Sequence, residues 1–249
     1  AYRDLVRHLL LRDLRHKYKG SSLGFVWSLA NPLLMAAVYT IAFKFIVRLP
    51  IERFALFLVS GLLPWTFFAG GLSAATASIV DNGSLVRKVA FPRLVLPVAA
   101  VLSQFVQFAL TYAIVIPILV ALEGGGTTTL VAVLPVLVLQ LVFTTGLGLM
   151  LAAAYVHARD TRHLLDVALQ LWFWLTPVVY SMALVPETFG RLLHLNPMTA
   201  FMAAYHAAVA DGTWPAAWVW SLLLVFAAAA AWLGLIVFTK AEPTFAERL

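Results

Sequence analysis

LVLPVAAVLSQFVQFALTYAIVIPILVAL, residues 94–122, contains no charged side chain. Crossing the ~30 Å hydrocarbon core of a bilayer takes ~20 predominantly apolar residues, and this stretch exceeds that. A soluble helix of such length keeps a polar face toward water; here the strongest polar groups are Gln104 and Gln107. The segment reads as a membrane span, and the whole chain agrees with it. Of 249 residues, 63% are hydrophobic and 11% are charged, where soluble domains carry roughly 25% charged residues. Mean hydropathy is +0.94. A soluble fold of this length cannot hide so much apolar surface, because its exterior needs charged cover. An ordinary cytosolic enzyme, a disordered chain and a typical nucleic-acid binder are excluded.

Working outward, the same criterion predicts six spans: about Leu29–Val47, Phe54–Val80, Leu94–Leu122, Leu130–Val156, about Leu164–Leu184 (interrupted by Pro177), and about Ala216–Phe238. The connections sort the basic residues. Ala1–Ser28, Asp81–Arg93, His157–His163 and Lys240–Leu249 together hold thirteen of the 17 Lys and Arg. Arg48–Arg53, Glu123–Thr129 and Pro186–Pro215 hold three, and Lys44 sits near the end of the first span. Short loops rich in Lys and Arg stay in the cytoplasm, so both termini are expected there. The first 20 residues are too basic and lack the apolar core of a signal peptide. The expected fold is an all-α integral membrane protein with six transmembrane helices. It forms one transmembrane domain, 1–249: a cytoplasmic interfacial helix and loop over 1–28, a six-span core over 29–238 and a cytoplasmic tail over 239–249.

Catalytic chemistry is poorly supported. The chain has no cysteine, hence no disulfide, thiol nucleophile or thiolate metal site. The six histidines, His8, His16, His157, His163, His194 and His206, all fall in predicted loops, in the short helices between spans or near the N-terminus. A solvated role is the expectation for each. An intramembrane serine protease needs a base facing its serine at depth; Ser60 precedes Gly61 in the second span, but no predicted span contains a histidine. No glycine-rich loop ending in Lys-Ser or Lys-Thr is present, so ATP is not bound by that route. Lys44 and Asp166 are the only charges in the spans, each within about a turn of an end. Ion-coupled transporters keep ionisable groups at depth. Their scarcity here argues that any driving energy comes from outside the chain.

Four features carry more information. In Tyr2–Lys19, Leu5, Val6, Leu9, Leu10 and Leu14 recur at helical spacing among six basic residues. That pattern predicts an amphipathic helix lying in the headgroup plane, either a topology anchor or a force-transmitting element. In Asp81–Arg93 (DNGSLVRKVAFPR), Leu85, Val86, Val89 and Phe91 offer a short helix with Arg87 and Lys88, between an Asn82-Gly83 turn and Pro92. It is either a partner-docking helix or a basic surface turn. Aromatic residues gather on two spans, Tyr39 and Phe43 on the first and Trp172, Phe173, Trp174 and Tyr180 on the fifth. They form either an interfacial belt or the lining of a path on which sugar rings slide. Finally, Pro186–Leu195 and Pro197–Ala210 read as two short helices with a corner at Asn196-Pro197. Neither is long enough to span, so they predict a helical hairpin at the outer face, a gate or a passive loop.

Taken in order, RDLRHKYKGSSLGFVWSLANPLL (12–34), GSLVRKVAFPRLVLPVAAVLS (83–103), ARDTRHLLDVALQLWFWLTPVVYS (158–181), LNPMTAFMAAYHAAV (195–209) and the final EPTFAERL resemble the membrane subunit of polysaccharide ABC exporters. These are the type 2 ABC permeases that export O-antigen, capsule or teichoic acid. The resemblance covers nearly the whole chain. It implies a homodimer of six-span subunits in the bacterial cytoplasmic (inner) membrane, carrying two ATP-binding cassette subunits. ATP and magnesium would belong to those subunits, and this chain would hold no cofactor or metal. It further implies that Leu23-Gly24 is the loop between interfacial helix and first span. Leu85–Phe91 would be the coupling helix, Pro186, Asn196 and Pro197 would mark the outer gate, and Tyr39, Phe43, Trp172, Phe173, Trp174 and Tyr180 the channel lining. The implied cargo is a lipid-linked polysaccharide, with no nucleic-acid partner. An ABC exporter of lipids or drugs, an intramembrane enzyme and a structural scaffold are the alternatives.

Overall fold

The computed structural model describes residues 26–46, 48, 51, 53–89, 91–125 and 127–249. The predicted interfacial helix and Leu23-Gly24 lie outside the described residues. What is described is helical, with no strand. In chain order the elements are α1 (Val26–Thr40, continued by a π-helical stretch Ile41–Ile46), α2 (Phe54–Asp81), α3 (Gly83–Lys88), α4 (Val95–Glu123), α5 (Val133–His157, led in by a 3-10 turn Thr129–Ala132), α6 (Thr161–Trp174), α7 (Glu187–Leu193), α8 (Pro197–His206, continued by a π-helical turn Ala207–Asp211), α9 (Ala217–Ala241) and α10 (Phe245–Arg248).

Among the described residues four helices are long and apolar enough to cross a membrane, namely α2, α4, α5 with its lead-in, and α9 running on into α10. α2, α4, α5 with its lead-in, and α9 itself each coincide with a predicted span to within a few residues. The fifth predicted span is not a continuous helix. α6 stops at Trp174, three residues short of Pro177, because a residue preceding proline disfavours the α conformation. Its 14 residues reach only roughly 21 Å at 1.5 Å per residue. The chain then turns through Thr176 and re-forms one 3-10 turn at Met182–Leu184. The first predicted span corresponds to α1 and its π-helical continuation.

α2 is the central helix. Its most apolar window is 78% buried within the protein, against 28% for α9. It packs on α4 and α5, α5 packs on α9, and α8 fills the space between α2, α5 and α9. The exposed faces of α4, α5 and α9 carry Leu110, Ile114, Ile118, Leu134, Val138 and Leu224, as expected of surfaces that meet lipid. With no water at depth, polar groups must find partners inside the protein. Three hydroxyls of α2 do so one turn back: Ser60 Oγ donates to the Phe57 carbonyl at 2.8 Å, Thr76 Oγ1 to Leu72 at 2.7 Å and Ser78 Oγ to Ala75 at 2.6 Å.

The described loops collect at two ends of the bundle. At one, Arg53, Glu123 and the Thr129 turn meet the segment around Ala210: Arg53 Nη1 donates to the Ala210 carbonyl (3.1 Å), and Thr129 Oγ1 donates to that of Ala208 (2.6 Å). Nearby, the Leu56 amide donates to Glu123 Oε2 (3.1 Å). At the other, Asp81–Arg93, His157 and Glu242–Leu249 meet one another. Those are the same two groups into which Lys and Arg sort.

The α5–α9 crossing depends on two glycines. A Cβ added to Gly146 would land inside the backbone of Ala230, and one added to Gly234 would land on the Gly146 carbonyl. Close backbone approach through small residues is how helices associate without a hydrophobic driving force between them. Gly146→Ala and Gly234→Ala are each expected to lower stability by about 1–3 kcal/mol through overpacking. Gly190→Ala, where a Cβ meets nothing within 4 Å, is expected to be neutral. Thermal unfolding of the detergent-solubilised protein checks all three.

Candidate functional site

The basic motif at Asp81–Arg93 folds as anticipated into a single short helix, α3, and its two faces differ. Val86 is buried, Leu85 is partly buried, and Arg87 and Lys88 stand exposed beside each other in the last turn. Phe91 is partly buried and packs on the same small core. Six residues of helix do not persist on their own, so the burial of Val86 must hold α3 in place. The core that receives it contains Ile79, Val95, Leu96, Leu149, Val156, Phe238 and Phe245. It draws on five other helices.

The last of those residues, Phe245, comes from the C-terminal tail and is fully buried. Its ring meets Phe238 edge-on at 5.3 Å and His157 at 6.3 Å. Around it, the Arg93 amide donates to Glu242 Oε1 at 3.1 Å and the Arg93 guanidinium donates to the Glu242 carbonyl. His157 Nε2 lies 3.0 Å from Thr244 Oγ1, and the Leu249 side chain covers Gly83. The tail is therefore a brace beneath α3. Sequence reasoning treated EPTFAERL as part of a family pattern only. An apolar Phe245 in a charged terminal segment was the signal that it is tucked in.

The predicted aromatic and gate residues meet each other. Trp172 is set edge-on to Phe68 of α2 (5.2 Å), and its Nε1 donates to Asn196 Oδ1 at 2.7 Å. Asn196 also accepts from the Met198 amide (3.0 Å), capping α8, and donates through Nδ2 to the Leu175 carbonyl and Thr176 Oγ1 at 3.0 and 2.9 Å. One carboxamide thus closes the broken end of α6 onto the start of α8, where Pro197 occupies the first turn, a position at which its missing N–H costs nothing. Pro186 is exposed just before α7. Phe173 packs edge-on to Trp65 (5.5 Å), Trp174 is exposed, and the Tyr180 hydroxyl donates to the Trp174 carbonyl at 3.0 Å. Tyr39 and Phe43 form a pair at 6.1 Å, and Phe43 continues to Phe54 at 6.4 Å.

Three side chains, Gln140, Tyr205 and His206, hold the hairpin against the bundle. Gln140, fully buried on α5, donates to the Pro64 carbonyl at 2.9 Å and accepts from the Tyr205 hydroxyl at 2.7 Å. His206 corrects the expectation of a solvated histidine. It is buried at the end of α8, stacked on Phe57 at 3.8 Å, with Nε2 lacking a hydrogen-bond partner among the described residues. It fits there because position 61 is glycine; a Cβ at Gly61 would lie 2.7 Å from that nitrogen. No cluster of three or more His, Cys, Asp or Glu able to hold a metal occurs among the described residues.

A bundle with four helices long and apolar enough to cross a membrane, a braced basic helix at one end and a broken-helix hairpin at the other mark a multi-pass membrane protein. The family model of ABC-2 type transporters matches residues 4–210, and the chain belongs to that family. It is 35% identical to a protein named O-antigen export system permease protein RfbA from Myxococcus xanthus, over 100% of this chain and 96% of that one. It is 29% identical to a protein of the same name from Klebsiella pneumoniae, over 99% and 95%. It is 21% identical to Polysialic acid transport protein KpsM from Escherichia coli, over 83% and 81%.

If the tail braces α3, Phe245→Ala is expected to loosen it, since removing a buried phenylalanine costs about 3–5 kcal/mol. Amide hydrogen exchange over 83–89 is expected to accelerate at least tenfold in Phe245→Ala and to stay near the original in Phe245→Leu.

Proposed function

We propose that this chain is the membrane channel subunit of an ATP-driven exporter that moves a lipid-linked polysaccharide, such as O-antigen, out across the bacterial cytoplasmic membrane. The observation that carries the reading is end-to-end similarity to the O-antigen permease of Myxococcus xanthus. The geometry agrees with it. Few ionisable groups lie inside the bundle, so energy enters at a surface, and Arg87 and Lys88 on the braced α3 supply one. ATP and magnesium reside in separate cassette subunits, and this chain performs no chemistry of its own.

In this reading the subunit has six spans, with α1 and its continuation as the first and the broken α6 segment as the fifth. Both termini are cytoplasmic, and the Arg53 end faces outward. Two copies pair, with two cassette subunits docked on α3 and on the Leu23-Gly24 loop. The exposed faces of α1 and α6 support pairing: Leu33, Leu34, Val38, Leu164, Val167 and Leu171 are uncovered in a single chain. The aromatic groups at Tyr39, Phe43, Trp172, Phe173, Trp174 and Tyr180 then border a path along the dimer axis. The hairpin marked by Pro186, Asn196 and Pro197 closes its outer end. Aromatic faces bind sugar C–H surfaces without charge, which suits a neutral sliding path.

The test is reconstitution of the permease with its cassette subunit in vesicles containing a labelled lipid-linked glycan. ATP-dependent delivery of label to the far side is expected, and ATP hydrolysis by the permease alone would refute the reading. Arg87→Glu with Lys88→Glu is expected to reduce co-purification of the cassette subunit at least tenfold without lowering the permease's melting temperature.

A further inference from the structure

At the Arg53 end a cleft of about 570 Å3 opens between Ile51 and Arg53, the chain following Pro177 and the end of α8. That volume falls within the ~300–1,000 Å3 usual for small-ligand sites. Its walls divide by chemistry. Ile51, Phe57, Pro177, Met182 and Leu184 are apolar, while Arg53, Ser181, His206 and Asp211 are polar. Arg53 and Asp211 stand exposed at its rim, whereas His206 is buried.

The backbone is bent to produce it. Arg53 adopts a left-handed conformation, φ 49° and ψ 48°, which non-glycine residues avoid and which persists where surrounding structure demands it. Its guanidinium is held by the Ala210 carbonyl at 3.1 Å. On the facing wall α8 widens into a π-helical turn over Ala207–Asp211 and ends at Gly212 with φ 66°. Such turns concentrate at functional sites, and this one presents Asp211 at the rim. His206 lines the cleft with a buried, unpartnered Nε2. Desolvation pushes the Asp211 carboxyl above its ordinary range, and the neighbouring Arg53 charge partly offsets that.

We infer that this cleft binds an uncharged, hydroxyl-rich sugar ring of the exported chain as it emerges on the outer side. Arg53 donates, Asp211 accepts, and Ser181 can do both. Vicinal hydroxyls, which donate and accept together, complement that set. The formal charges of Arg53 and Asp211 cancel, so a phosphate or a uronic acid met by Arg53 is repelled by Asp211. The ring's C–H face packs on Phe57, Pro177 and Met182. The inference rests on the export reading for its cargo, but the cleft is separate from the aromatic groups assigned to the channel path.

The full permease–cassette complex in lipid nanodiscs is probed by saturation-transfer NMR with methyl mannoside and methyl galactoside, and with methyl glucuronide and inorganic phosphate in parallel. A neutral glycoside signal is expected that falls at least fivefold in Asp211→Asn, which keeps the side chain's shape, and in Ala203→Phe, which fills the cleft. Melting temperatures identify any variant that fails to fold, and the other then decides. A neutral signal indifferent to both substitutions, or preferential binding of phosphate or glucuronide, overturns the site. Glycan export is measured on the same preparations. Intact export with no cleft-dependent binding removes this site alone, whereas cleft-dependent binding without any export removes the export reading.

Discussion

The Gln140 carboxamide is the interaction on which the interior depends. It is completely buried, and both of its ends are used, on the Pro64 carbonyl of α2 and the Tyr205 hydroxyl of α8. Inside hydrocarbon an unsatisfied amide costs several kcal/mol, so α2, α5 and α8 cannot separate without leaving several polar atoms bare. α8 has ten residues and cannot cross a bilayer. It remains deep in the bundle because this bond, the Asn196 cap and the packing of Phe201, Met202 and Tyr205 hold it there.

That lock connects the two ends of the molecule. α2 begins just after Arg53, beside the cleft, and after 28 residues reaches Asn82, whose carbonyl accepts from the Leu85 and Val86 amides of α3. A continuous, centrally buried helix transmits displacement better than a chain of loops, because packed cores shift between discrete arrangements rather than deform. In the proposed exporter, a cassette subunit engaging Arg87 and Lys88 would therefore act on a strut whose far end frames the cleft at Arg53. The tail adds a second connection, since Phe245 and Glu242 tie the same region to α9.

Much of this was legible in one dimension. The four long spans followed from apolar runs that no soluble fold could cover, and the two groups of loops followed from the placement of Lys and Arg. The α3 helix was readable from Asn82-Gly83, four apolar residues and Pro92, and the hairpin from Asn196-Pro197. The end of α6 was misjudged by a few residues because hydropathy stays high through Pro177, while the backbone restriction ahead of a proline acts before it. His206 was misjudged because an isolated histidine between spans reads as solvated. Only the neighbouring helix reveals that Gly61 leaves room for the ring to lie on Phe57.

By itself the sequence determined membrane residence, the order of the helices and the division of the loops into two groups, because each depends on composition summed over a segment. The tertiary structure alone decided which polar groups satisfy one another and which cavities remain. Gln140 with Tyr205, Glu242 with Arg93, and Arg53 with the Ala210 carbonyl join positions 65, 149 and 157 residues apart. No local pattern encodes such pairings. They arise when packed helices exclude water and buried polar atoms pair with whatever partner the packing brings within reach.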